Sequence, residues 1–140
     1  MRSSSGVTPA SGRKPSLKLR FALISLLLFC LAGPASAESV KVLVQSSPLA
    51  GFQYHAGNAL WDRMREGDTL ALVREPENAH DANAVRVEWR GHMLGYLPRA
   101  ENRSVAAEMD RGTTVSARIA RLTMDRNPWR RLLIEVFVVL

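Results

Sequence analysis

Between Arg74 and Val85 the chain reads Arg74-Glu75-Pro76-Glu77-Asn78-Ala79-His80-Asp81-Ala82-Asn83-Ala84-Val85, gathering carboxylates, amides, an imidazole and a guanidinium within a dozen positions. Pro76 holds the residue before it extended, while Asn78, Asp81 and Asn83 carry short polar side chains that bond nearby backbone. The segment therefore reads as a rigid polar loop between two apolar runs. Such a loop presents groups for recognition rather than for packing. Asp81 and Asn83 can both cap the loop through local hydrogen bonds, and Asn83 is assigned that structural role. The chemistry on offer is binding. The chain has no phosphate-cradling glycine loop and no nucleophile beside a plausible base, so an enzyme is not expected.

A second concentration surrounds Asn127-Pro128-Trp129, where Arg126, Arg130 and Arg131 could meet a phosphate or an acidic partner and Trp129 could stack. A solvated hairpin tip explains the same residues, and the deciding question is whether these arginines share a surface with Tyr54 and Asp81. Arg118 and Arg121 on the preceding strand are candidates to extend the patch. His55, His80 and His92 lack a partner cysteine or a tight spacing, so no metal or other cofactor is expected. Trp61, Trp89 and Trp129 are expected in the core or at its rim.

The elements that must hold these residues are mostly strands. Val40, Val42 and Val44 alternate with other residues; Thr69 to Val73 forms a second run, and Val85, Val87 and Trp89 a third. Arg90-Gly91 reads as a hairpin turn into His92 to Leu97. Val115, Ala117 and Ile119 alternate again, a turn follows at Asp125 to Pro128, and Leu132 to Leu140 closes the chain. Helical spacing appears over Asn58 to Arg65 and over Arg99 to Met109, stopped by Gly67 and Gly112. About six strands with two short helices predict a mainly β fold, a small barrel among the candidates.

Residues 1 to 37 read as a signal peptide. Arg13, Lys14, Lys18 and Arg20 lead into an apolar run from Phe21 to Ala32, and Ala35-Ser36-Ala37 supplies a small-residue cleavage site. That run is about a dozen residues against the roughly 20 a spanning helix needs, so no stable membrane span is expected. Retention of an uncleaved leader as a tether is the alternative. The order Cys30-Leu31-Ala32-Gly33 does not match a lipidation site. The domain of residues 38–140 would thus be exported, periplasmic or secreted, without the chain's single cysteine. Five of the 19 basic residues precede Glu38 while all 13 acidic ones lie from Glu38 onward, so the formal charge of +6 falls to near +1 in the domain. Overall charge therefore gives no argument for nucleic acid, although local clusters can.

The Glu-Pro-x-Asn-x-x-Asp-x-Asn-Ala-Val run of residues 75–85, with Gly95-Tyr96-Leu97, resembles the HIRAN domain family, and Gly51 to Tyr54 and Glu66-Gly67-Asp68 add to the likeness. The resemblance covers about residues 41 to 140 and implies an OB-like β-barrel. It also implies capture of a single-stranded DNA 3′ end, with Tyr54 as the stacking aromatic, Asp81 accepting from the 3′ hydroxyl and Asn78 a loop amide beside it. His80 falls where helicase-linked members have a second aromatic, Tyr96 where they have a polar ring, and Arg99 where they have a phosphate-binding lysine. Gln53 departs from the family's arginine. With His80 replacing a phenol, that departure implies weaker binding of DNA ends or a changed ligand.

Two functions follow. One is a nucleic-acid-binding module whose partner is single-stranded nucleic acid. The other is a module for an envelope protein or glycan, since OB barrels hold oligosaccharides on the same face.

Overall fold

The computed structural model describes residues 3–12 and 37–140. Residues 3–12 carry no regular secondary structure; the expected leader's apolar run and the Ala35-Ser36 of its cleavage site lie outside the described residues. Among the described residues no helix is long and apolar enough to cross a membrane.

Alternation of side chains sets the sheet. β6 (Leu132–Val139) buries Leu132, Ile134, Val136 and Val138 and turns their neighbours outward, and β3 (Val85–Trp89) buries Val85, Val87 and Trp89. With β1 (Lys41–Pro48), β2 (Thr69–Arg74), β4 (His92–Tyr96) and β5 (Val115–Leu122) they form one six-stranded antiparallel sheet in the order β1-β6-β5-β2-β3-β4. The β3–β4 hairpin turns on Arg90 and Gly91, both in the left-handed region at φ 48° and 80°, the pair of dihedrals that a tight hairpin matching the strand twist requires.

The helices are shorter than the sequence spacing predicts. α1 spans Gly57–Leu60 and passes into a 3₁₀ turn, Trp61–Arg63; α2 spans Arg103–Asp110. They cover the core made by Leu49, Phe52, Met64, Val87, Trp89, Leu94, Leu97, Val105, Ile119 and Ile134. Burying each large apolar side chain contributes about 1.5–3 kcal/mol. Trp89 is 1 % exposed and donates its indole N–H to Asp68 at 2.9 Å, while Trp61 packs edge-to-face on Phe52.

Two expectations are corrected. A closed barrel is not formed among the described residues, because the edges at β1 and β4 are linked there by a single bridge, Ala50 to Tyr96, with N–H to carbonyl distances of 2.8 and 3.0 Å. The ladder cannot run further along β1, because Pro48 has no N–H and the chain turns at Gly51 (φ 75°). The alternating valines of β1 do not mark a buried face either: Val42, Leu43 and Val44 are all exposed. Val42 lies opposite Val138 at the end of β6, where the strand overhangs the core, and a bulge at Val44 shifts the register.

Candidate functional site

The loop between β2 and β3 is braced by its own side chains. Asn78 Oδ1 accepts from the backbone N–H groups of His80 and Asp81 at 3.0 and 3.2 Å, and its Nδ2 donates to Glu75 at 3.0 Å. Asp81 Oδ1 accepts from the Asn83 N–H at 2.9 Å. Asn83 thus serves through its backbone. The mouth of the loop is closed by Glu75 N–H to Ala84 O at 3.0 Å. From β2, Arg74 reaches Asp110 of α2 with two bonds of 2.9 and 3.1 Å and donates to Ala84 O at 3.2 Å.

Glu75 is the hub beneath the loop. Its carboxylate accepts from Asn78, from the Tyr96 hydroxyl at 3.0 Å and from Arg86 at 2.7 Å, and Arg86 also holds Glu88. The Asn78 hydrogen bond, with those from Tyr96 and Arg86 and the Arg86 charge, lowers the Glu75 pKa against the opposing effect of burial. Burial raises the pKa of Tyr96, and its bond to the Glu75 carboxylate raises it further.

Above this network lies a cleft of about 320 Å³ lined by Asn78, His80, Asp81, Tyr96 and Arg99 over an apolar floor of Ala50, Ala84 and Leu97. Five of the six expected site residues therefore share one cavity. The sixth, Tyr54, is 79 % exposed on a 3₁₀ turn, Phe52–Tyr54, that starts two residues after Ala50. Gln53 is half-buried on the same turn, and His55 meets the Tyr96 ring edge-on at 6.3 Å between centroids.

Asp81 is the anionic centre of the cleft. Partial burial works against its charge, yet hydrogen bonds from Asn102 and the Asn83 N–H, with the Arg99 and Arg74 guanidiniums nearby, outweigh burial and lower its pKa. The carboxylate is thus ionised at neutral pH, and each oxygen, with one protein hydrogen bond, retains capacity to accept another. Arg99 and His80 stand exposed beside it, with no side-chain hydrogen bond or ion pair among the described residues. The arrangement can accept from a hydroxyl, offer a cation to a phosphate and present flat rings to a base. No group of three or more His, Cys, Asp or Glu among the described residues is placed to hold a metal.

The basic patch is divided by the fold. The 3₁₀ turn Pro128–Arg130 packs near the Phe52–Tyr54 turn, and Trp129, 47 % exposed, lines a second cleft with Pro48, Arg121 and Arg130. Trp129 and Arg130 are therefore brought near the Tyr54 turn, and Arg121 joins them in the second cleft, whose lining has no residue in common with the first. Arg131 is instead held by Asp125 O and Asn58, and Arg118 pairs with Glu135 and lies over the Phe137 ring. Sequence reasoning missed Glu75 and Asn102 as parts of the site. Glu75 lay within the loop motif, whereas Asn102 fell inside the helix expected over Arg99 to Met109, and it heads α2 only because that helix starts at Arg103.

Comparison with known proteins bears on the fold and the family. A solved Lactobacillus plantarum protein superposes with a TM-score of 0.64 at 25 % identity, covering 73 % of this chain and 98 % of that one. The HIRAN domain of human HLTF superposes at 0.54 and 19 % identity over 74 % and 79 %, a likeness of fold. A Fanconi-associated nuclease 1 homolog from Oryza sativa subsp. japonica is 33 % identical over 78 residues, which are 53 % of this chain and 8 % of that protein. The chain therefore matches only a small part of that relative. The HIRAN domain profile itself matches residues 42–140, all of the six-stranded unit but Lys41, and the chain belongs to the HIRAN domain family.

Proposed function

We propose that this domain is a nucleic-acid-binding module that captures the 3′ end of a single strand in the Asp81 cleft. The observation that carries the reading is the meeting, in one cavity, of an ionised Asp81, an exposed Arg99 and the rings of His80 and Tyr96. A carboxylate accepts strongly from a terminal hydroxyl and repels a terminal phosphate, and a guanidinium one position inward neutralises a backbone phosphate. Tyr54 stacks on a base at the rim, and Trp129 with Arg121 and Arg130 continues the path beyond it. Membership of a family of nucleic-acid-binding modules supports the same reading. Export through the leader is proposed alongside it, on the Ala35-Ser36-Ala37 site after an apolar run.

The test is a fluorescence-anisotropy titration of the 38–140 domain with single strands ending in a 3′ hydroxyl or a 3′ phosphate. Tighter binding of the hydroxyl end is expected. Equal affinity for the two ends removes the end-capture mechanism.

A further inference from the structure

Asn102 departs from what its position calls for. It precedes α2, where an asparagine ordinarily accepts a hydrogen bond from the helix's first free N–H groups, but its side chain makes no such cap. Instead its Nδ2 donates to Asp81 Oδ2 at 2.6 Å, across 21 residues of sequence. The residue is 1 % exposed, and its Oδ1 is buried with no partner among the described residues. Two favourable interactions are thus forgone, a helix cap and a satisfied acceptor, for one charge-assisted bond to the cleft. The amide cannot be turned round, because its oxygen would then face an ionised carboxylate.

We propose that Asn102 is the positioning residue of the cleft: from the head of α2 it fixes the Asp81 carboxylate so that its remaining lone pairs face the ligand. Asn83 N–H restrains one carboxylate oxygen and Asn102 the other, so rotation about the Asp81 side chain is blocked at both ends. Arg74 and Arg99, the other charged groups acting on Asp81, attract it without such a bond. The proposal rests on the reading of the cleft as a strand-end site.

The experiment compares the unmutated protein with Asn102→Leu in two ways. Carbon-13 titration of the Asp81 carboxyl, without any nucleic acid, is expected to move to higher pH in the variant, with Arg74 and Arg99 unchanged. The preference for a 3′-hydroxyl over a 3′-phosphate oligonucleotide is expected to fall by about ten-fold as the carboxylate loses its orientation. Should the leucine variant not fold, Asn102→Ala removes the same bond without adding side-chain volume. An Asp81 titration that does not move in a folded variant overturns the proposal, as does an undiminished end preference. If the unmutated protein shows no end preference, the strand-end reading fails, and the titration alone then decides whether Asn102 holds Asp81.

Discussion

Replacing Asp81 by alanine separates the role of its charge from its role in the loop. A hydrogen bond from a terminal hydroxyl to an ionised carboxylate is worth roughly 1.5–3 kcal/mol, about a 10- to 150-fold loss in affinity for 3′-hydroxyl strands. The substitution also removes the acceptors for the Asn83 N–H and the Asn102 amide. Leaving the buried Asn102 donor unpaired costs about 1–3 kcal/mol of folding stability, so urea unfolding of the variant must be measured in parallel. Asp81→Asn is the cleaner companion, since its Oδ1 can still accept from the Asn83 N–H while the charge is gone. The assay is anisotropy with strands of one sequence and two termini, which makes the ratio of affinities independent of how much protein is folded. For both variants the hydroxyl end should weaken towards the phosphate end, which is already poor and changes little. A loss of equal size at both termini would refute the reasoning, because it would place Asp81 in the scaffold alone.

Tyr54→Ala should weaken binding to either terminus by about 1–3 kcal/mol, since stacking does not depend on the end group, and its ring is too exposed for stability to change much; an unchanged affinity would take Tyr54 out of the interface. Tyr96→Phe removes the hydroxyl that donates to Glu75 and should lower urea stability by about 1–2 kcal/mol while leaving the ring in the cleft; loss of binding in a stable variant would contradict this. Glu75 and Asp81 have pKa values lowered by folding, so their contribution is full above the ordinary carboxylate range near pH 4 and is lost as pH falls through the depressed folded-state values. Denaturant titrations between neutral and strongly acidic pH should show that loss, and Glu75→Gln should make it shallower; an identical acid slope would count against the Glu75 network. Expressed with its leader, the protein should be recovered outside the cytoplasm without residues 1–37, and an intact mass retaining them would point to a tether instead.

The loop was legible in the sequence because its bonds are short-range: Asn78 and Asp81 reach donors two and three residues away, and those offsets are the ones local turn chemistry predicts. The β3–β4 hairpin was legible for the same reason. Asn102 was not, because its partner Asp81 lies 21 residues away on another element, and helical spacing over Arg99 to Met109 says nothing of a bond across that distance. Apolar alternation identified β1 as a strand but could not say that its first half overhangs the core. Sheet closure was hidden as well, since register shifts at Leu43/Gln45, Val87/Glu88 and Ile119/Arg121 leave no mark on a two-residue period.

The Ala50–Tyr96 bridge places the cleft on a seam. Gly95, beside it, has φ 151° and no room for a Cβ, which would strike the Ala50 carbonyl oxygen, so the two edges meet by direct backbone approach. Ala50 belongs to one side of the seam and Tyr96 to the other, and both line the cavity. A molecule that touched both would act as a clasp, its binding favouring the closed seam by its preference for that state. The amides of Ala50 and Tyr96 should then be the local gauge of binding, exchanging with solvent by a breathing motion when the cleft is empty and slowing in proportion to ligand once it is filled.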